Sequence, residues 1–224
     1  SGTHNEYPSI VELASGKLGV VYSERIGAAQ ILRFLLVSAA GAVTAGPTTI
    51  SSTGKFYESS VVKLADNTHL LVAARDNGGT WEIIRSTHIA GDWTAWSATA
   101  TLAYSGATVT GEKRRPFIRE ISSSGLSCWI MFDRVDVTAG SLKQRDIYYS
   151  KNTASPYLSG SVAMTALTAL TNSFESADSP SFVKPPSYGT PHALIAAYVS
   201  RKSAIKLNNT SSPQMPGDNN GYFI

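Results

Sequence analysis

The chain has 224 residues, a length at which a single all-β domain with a sizeable buried core is common. Lys and Arg number 19 against 16 Asp and Glu, with no cationic run, and this balance argues against nucleic-acid binding. No segment approaches the roughly 20 apolar residues of a membrane-spanning helix, so we expect no membrane insertion, and residues 1–4 do not have the form of a signal peptide.

Four segments share one pattern, which predicts the first strand of a repeated unit. Each opens on Pro or Ser, continues through apolar positions and ends at a polar turn of the kind that joins hairpin strands. In chain order they are residues 8–13, 59–64, 116–121 and 180–184. Their opening residues are 51, 57 and 64 positions apart, which indicates a repeat architecture.

A second apolar run follows each turn and contains or ends at an arginine. The runs are residues 18–25, 70–75, 126–134 and 193–201, and they end at Arg25, Arg75, Arg134 and Arg201. We expect these arginines to occupy one equivalent position of the repeat. A polar loop then leads to a third predicted strand, at residues 31–37, 81–85, 146–149 and 204–207, and a weaker fourth strand follows in the first three units.

A four-stranded antiparallel unit repeated at this interval is typical of the blade of a β-propeller. The sequence therefore predicts an all-β fold, a β-propeller or part of one. We expect one domain over residues 1–224, with repeats at approximately 3–54, 55–111, 112–175 and 176–224. A β-sandwich would require the alignment to be accidental, whereas an elongated stack of sheets would keep the period without a ring. The single cysteine, Cys128, lies in an apolar run and is expected to be a buried thiol.

The turns after the third strands resemble the Asp-box of sialidases and related propellers, Ser-x-Asp-x-Gly-x-Thr-Trp. Residues 86–93 keep its Ser and Trp, and residues 150–157 keep the Ser with an Asn for the Asp. A closer match at residues 74–81 comes one hairpin too early, so we interpret its Asn-Gly-Gly segment as a tight turn. The first unit also resembles the first blade of sialidase-like proteins, with Glu6 where that blade has an arginine.

This resemblance implies a glycan-recognising propeller, in its catalytic form an exo-glycosidase acting on acidic sugars of the sialic-acid type. Sialidases grip a sugar carboxylate with three arginines, which pair bidentately with it. By that analogy the clamp would come from Arg25, Arg75, Arg114, Arg134 and Arg201. The acid catalyst would be Asp76 or Asp133, and the nucleophilic pair would be Glu6 with Tyr7 or Tyr57.

In a propeller the start of the first strand and the loop between the second and third strands lie on one face. The other residues expected on that face are His4, Glu58, Glu112, Arg115 and Asp178. The alternative role of the repeated arginines is structural, closing each blade by pairing with a nearby acid or with the neighbouring unit. The tryptophans, Trp81 among them, would either stack on sugars or pack in the core.

Two functional hypotheses follow. The first is a sialidase-like propeller that hydrolyses or only binds a carbohydrate. The second is a non-catalytic receptor-binding or structural module of a larger assembly such as a phage tail fibre, present as a homo-oligomer or within a longer chain. Either use would place the protein outside the cell or on a virion. We expect no cofactor and no metal, because the histidines and the cysteine have no metal-ligand spacing.

Overall fold

The computed structural model confirms the all-β prediction, since every element in the described part of the chain is a strand. The structure describes residues 2–13, 15–64, 66–88, 96–104, 111–122, 127–135, 145–152, 163–164, 168–169, 175–183, 195–202 and 220–223. Within these residues no helix is long and apolar enough to cross a membrane.

The first two sheets follow the predicted order of four strands each. The first consists of β1 (Thr3–Glu12), β2 (Leu18–Ile26), β3 (Ala29–Val37) and β4 (Val43–Ser51). The second consists of β5 (Lys55–Lys63), β6 (His69–Asn77), β7 (Thr80–His88) and the short β8 (Ala100–Thr101). Consecutive strands within each sheet pair antiparallel, and one parallel bridge between Gln30 and Lys55 joins the two sheets.

The third and fourth sheets repeat the arrangement. After β9 (Ala103–Tyr104), the third sheet is built from β10 (Lys113–Ser122), β11 (Ser127–Val135) and β12 (Arg145–Asn152). Two short strands follow, β13 (Ala163–Met164), which pairs with β9, and β14 (Thr168–Ala169), which completes the third sheet. The fourth sheet consists of β15 (Glu175–Val183), β16 (Ile195–Lys202) and β17 (Asn220–Phe223).

The predicted third strand of the last unit lies outside the described residues. Among the described strands, β16 pairs with β15 on one side and with β17 on the other. The strand expected at residues 204–207 therefore stays a prediction.

Each first strand carries a two-residue β-bulge, either at the Pro or directly before the Ser that opens the repeat. The pairing is interrupted between Glu6 and Ser9, Phe56 and Ser59, Arg114 and Phe117, and Asp178 and Ser181. Two bulge residues, Tyr7 and Arg115, have positive φ angles of 55° and 48°, a region that residues other than glycine seldom adopt. Bulges bend a strand and redirect its side chains, and here they do so at the same end of all four sheets.

The bulges correct the predicted alignment of the second unit. Ser59 resumes the ladder as Ser9 does, so the position taken by Pro8 in the first unit belongs to Glu58 in the second. Proline suits this place because it donates no hydrogen bond to the ladder. Glu58 puts a carboxylate there instead.

The prediction that the four arginines are equivalent is wrong. In the second sheet, Arg75 pairs with the last residue before the bulge of the first strand. In the third sheet, Arg134 comes one position after the residue that makes this pair. In the first and fourth sheets, Arg25 and Arg201 come two positions after it. Because side chains alternate between the two faces of a sheet, the one-position offset places Arg134 on the opposite face from Arg25 and Arg75.

Apolar side chains fill the spaces between neighbouring sheets. Between the first and second sheets, Phe34 and Phe56 are among the fully buried residues. Between the second and third sheets the core includes Ile83, Phe132 and Cys128, which confirms the buried thiol. The fourth sheet packs against β10, β11 and β12, and none of its described strands contacts the first sheet.

Serine hydroxyls add hydrogen bonds between the sheets. The Ser9 hydroxyl accepts the Val61 N–H at 3.2 Å, and the Ser60 hydroxyl accepts the Ile118 N–H at 3.2 Å. Each bond joins the first strands of adjacent sheets. These bonds fix the neighbouring first strands relative to each other, and therefore the bulges at their ends.

The hairpin between β6 and β7 confirms the predicted tight turn. Asn77 pairs with Thr80, and the two intervening glycines have φ angles of 65° and 91°. Positive φ at both central positions is the geometry that twisted hairpins favour. The Asp76 carboxylate accepts the Gly79 N–H at 2.6 Å and braces the turn.

A buried histidine pair lies within the second sheet. His69 and His88 are cross-strand partners, 2% and 1% exposed, with ring centroids 6.1 Å apart. Burial and the charges of His88 and Lys63 lower the pKa of His69 from 6.5 to about 4, against the opposing effect of Asp66. The unfolded chain therefore binds this proton at higher pH than the folded chain, and stability is lost as the pH falls from 6.5 toward 4.

We expect His69→Gln to weaken this pH dependence. Between pH 7.5 and pH 5 the wild-type protein should lose about 2 kcal/mol more unfolding free energy than the variant. Urea denaturation at the two pH values measures the difference, with His4→Gln, at an exposed position, as the matched control. Equal losses in wild type and His69→Gln would contradict the assignment.

Candidate active site

Three aromatic side chains gather at the bulged end of the first three sheets. Tyr7 and Tyr57 lie in the bulges of β1 and β5, and Trp81 lies just after the hairpin turn at the start of β7. The ring centroids of Tyr7 and Tyr57 are 6.4 Å apart, and those of Tyr57 and Trp81 are 4.9 Å apart. We call these three residues the aromatic platform.

Arg114 of the third sheet lies over the aromatic platform. Its guanidinium carbon is 4.5 Å from the Tyr57 ring centroid, 5.5 Å from that of Trp81 and 6.0 Å from that of Tyr7. A guanidinium at such distances from aromatic rings is attracted to their π faces. The cation therefore ties together side chains from three sheets.

Two carboxylates hold the guanidinium in place. Glu58 accepts hydrogen bonds from Nε of Arg114 at 2.8 Å and from Nη2 at 2.6 Å, and Glu112 accepts one from Nη1 at 3.0 Å. Their side chains are 17% and 28% exposed, and that of Arg114 is 18% exposed. All three nitrogens of the guanidinium thus donate to carboxylates.

Glu58 stays ionised because of this arrangement. Burial by itself raises the pKa of Glu58, but the hydrogen bond and the charge of Arg114 outweigh it and bring the pKa below its usual range. The same two carboxylates raise the pKa of Arg114 against the effect of burial. The second and third sheets are therefore joined by a charged pair that holds its charge at neutral pH.

Tyr57 lies at the centre of the cluster. Burial raises its pKa above 10, as does the nearby Asp76, while Arg114 acts in the opposite direction and Tyr7 and Glu112 contribute smaller increases. The phenol is thus protonated at neutral pH. The structure brings together four predicted site residues here: Tyr7, Tyr57, Asp76 and Arg114.

Other predicted site residues form separate pairs. Glu6 forms an ion pair with Arg25 at 3.3 Å and accepts a hydrogen bond from Gln30 at 3.4 Å. The Arg25 side chain is 47% exposed. Arg75 donates to Glu82 at 2.5 and 2.9 Å and to Thr101 at 3.2 Å. Arg75 is largely buried, and its partner belongs to the same sheet.

Asp133 and Arg134 lie on opposite faces of the third sheet. Asp133 is fully buried and pairs with Arg115 at 2.5 Å. The guanidinium of Arg134 lies 4.6 Å from the Tyr148 ring centroid. The structure therefore assigns both to contacts within their own sheet, and the catalytic role of Asp133 stays a prediction.

Several predicted features fall outside what the structure describes. The side chains of Asp178 and Arg201 are among them, although Arg201 pairs with Ser176 in the ladder. The turns of both Asp-box-like segments, at 89–95 and 153–157, also lie outside the described residues. His4 is exposed.

Glu58, Trp81 and Lys113 are the residues that sequence reasoning undervalued. Glu58 carried a signal, because it replaces the proline of the other units once the bulges are aligned. Trp81 carried a weaker sequence signal, since it follows the predicted hairpin turn, which places it on this face. Lys113 carried none: it is 4% exposed, and its ammonium donates to the Trp81 carbonyl at 2.7 Å.

Comparison with known proteins identifies the architecture. No family model and no curated protein sequence matches the chain. The endo-arabinase of Bacteroides thetaiotaomicron VPI-5482 matches 86% of this chain and 69% of its own, at 14% identity and a TM-score of 0.56. The Penicillium chrysogenum α-L-arabinanase, solved with arabinobiose, matches 89% of this chain and 62% of its own, at 12% identity and a TM-score of 0.61.

A third match is the α-L-arabinofuranosidase of Podospora anserina in complex with cellotriose. It covers 89% of this chain and 64% of its own, at 14% identity and a TM-score of 0.53. These proteins are β-propeller glycoside hydrolases, so the propeller prediction is confirmed. They are of the arabinanase kind and lend no support to the sialidase kind. The chain spans 62% to 69% of their lengths.

We expect Glu58→Gln to destabilise the protein through Arg114. The neutral amide removes one of the two negative charges that pair with the half-buried guanidinium of Arg114. This should lower the unfolding free energy by about 1–3 kcal/mol at pH 7. Since the folded pKa of Glu58 lies below its ordinary value of 4.5, its contribution is present above that value and is lost as the pH falls further.

Chemical denaturation at pH 7 and pH 3 measures both effects. The deficit of Glu58→Gln should shrink at the lower pH. Glu12→Gln removes an exposed carboxylate from another first strand and serves as the control. A deficit that is the same at both pH values would show that the charge of Glu58 is not what stabilises Arg114.

Proposed function

We propose that the aromatic platform and its carboxylates bind a neutral oligosaccharide, and that the protein is a glycan-acting propeller. The observation that carries this proposal is the aromatic platform itself, three rings from two sheets fixed by one half-buried cation. Sugar rings present apolar C–H faces to aromatic rings and hydroxyls to carboxylates, and the site supplies both partners.

The charge of the site favours neutral sugars over the acidic sugars that the sialidase resemblance implies. Every guanidinium nitrogen of Arg114 already donates to Glu58 or Glu112. Asp76 adds a further negative charge beside Tyr57. An incoming sugar carboxylate would meet two or more acids and a cation whose donors are occupied, so its desolvation would be poorly compensated. The arabinobiose and cellotriose complexes of the matched propellers agree with a neutral ligand.

The same carboxylates offer the chemistry of glycoside hydrolysis. Such enzymes use one carboxylic acid to protonate the leaving oxygen and one carboxylate as base or nucleophile. Glu58, held ionised by Arg114, suits the role of a carboxylate and not of a proton donor. The proton would then come from Asp76, which braces the hairpin turn, or from Glu112 once it has left Arg114.

A binding-only propeller is the second candidate, and one observation favours it. Asp76 braces the hairpin turn, and Glu58 and Glu112 hold Arg114, so each nearby acid already has a structural partner. Catalysis would require one of them to exchange that partner for the substrate.

Isothermal titration with arabino-, xylo- and cello-oligosaccharides tests the site. We expect Trp81→Leu to weaken binding about tenfold, since an aromatic stacking contact contributes about 0.5–1.5 kcal/mol beyond its buried area. Trp129→Leu is the matched control, because Trp129 is half-buried and stacks on Tyr149 at 5.0 Å in the third sheet, away from the aromatic platform. Equal losses in the two variants, or no binding by the wild type, would overturn the proposal.

Hydrolysis assays separate the enzyme from the binding module. Release of reducing ends from a neutral oligosaccharide, reduced at least a hundredfold by Glu112→Gln or Asp76→Asn, would establish an enzyme. Binding without turnover would establish the second candidate. Turnover of a fluorogenic sialoside, abolished by Arg114→Ala and Asp133→Ala, would overturn the preference for neutral sugars.

A further inference from the structure

Lys113 is a buried amine that has no part in the proposed chemistry. It opens β10, next to Arg114, and is 4% exposed. Its ammonium crosses from the third sheet to the second, donating to the Trp81 carbonyl at 2.7 Å and to the Gly111 carbonyl at 3.5 Å. It therefore holds the backbone of one member of the aromatic platform.

The Trp81 carbonyl lies beyond the last hydrogen bond between β7 and the strand β8 that pairs with it. The outer edge of β7 pairs with β8 at Ile84 and Arg85, and Leu102 N–H donates to the Ile83 carbonyl at 2.9 Å. Carbonyls point alternately to the two edges of a strand, so the Trp81 carbonyl points to the same edge as that of Ile83. Lys113 supplies a donor where the next ladder bond would be.

The charge of Lys113 is held at a cost. Burial, with the charge of Arg134, lowers the pKa of Lys113 to about 8, although Glu82 of β7 acts in the opposite direction. A methionine of similar length would fill the same space without burying a charge. The benefit that offsets this cost must come from the contact that the ammonium makes.

We propose that Lys113 is a positioning residue that fixes the Trp81 backbone, and with it the angle of the indole against Tyr57 and Arg114. Trp81 is one residue from the hairpin turn, where the strand is held from the β6 side by its pairing with Asp76. The lysine holds it from the other side. The use of this geometry for glycan binding rests on the proposed function, whereas the positioning itself does not.

Lys113→Met, with Lys17→Met at an exposed position as control, tests the inference by near-ultraviolet circular dichroism. The coupled Tyr57 and Trp81 rings contribute to this spectrum, and we expect Lys113→Met to reduce their contribution by half or more. The melting temperature should change by only a few degrees, because relief of the buried charge offsets the lost hydrogen bond. Affinity for a bound oligosaccharide should fall at least fivefold.

A second comparison assigns the spectral change to the right tryptophan. In a Trp81→Phe background, Lys113→Met should leave the indole bands unaltered, since the ring that it positions has been removed. A Lys113→Met spectrum that superimposes on the wild type, or a change of equal size in the Trp81→Phe background, would overturn the proposal. If Lys113→Met does not fold, Lys113→Arg, which keeps a cationic donor, must retain the wild-type spectrum for the inference to stand.

Failure of this inference is distinguishable from failure of the proposed function. The expected spectral change in a protein that binds no oligosaccharide would uphold the role of Lys113 and overturn the glycan site. An unaltered spectrum in a protein that binds oligosaccharide would do the reverse.

Discussion

The two-residue bulge in each first strand is the constraint on which the site depends. In an uninterrupted strand, consecutive residues such as Tyr57 and Glu58 would point alternately to the two faces of the sheet. The bulge adds one residue to the strand without adding one to its partner, so the pairing resumes with its register shifted by one while the side chains at the bulge are redirected. Because the bulges occur at one end of every sheet, the redirected side chains collect on one face.

The ion pair between Glu58 and Arg114 uses this geometry to join two sheets. Each residue comes from the bulged end of its own first strand, and the serine bonds between first strands hold the two ends at a fixed separation. The aromatic rings then pack against a cation that is already restrained. Placement of the aromatic platform therefore follows from the contact between sheets together with the hairpin turn before Trp81.

The sequence predicted the strand order and the tight turn at Gly78, because alternation and paired glycines are local signals. It misplaced the repeated arginines by one or two positions, since a bulge changes the register without altering the count of apolar residues. The partners of Arg114 were beyond its reach for a different reason. The main partner, Glu58, lies 56 positions earlier in the chain, and its approach to Arg114 depends on how two sheets pack.

The burial of the Arg114 cluster has a consequence for the solution conditions that the site tolerates. At 0.1 M salt, dissolved ions screen the interaction between exposed charges with a screening length of about 10 Å. They screen buried pairs far less. Glu58 and Arg114 are each less than one-fifth exposed, whereas the Arg25 side chain is nearly half exposed. High ionic strength would therefore loosen the rim at Arg25 and Glu6 first and leave the aromatic platform in place.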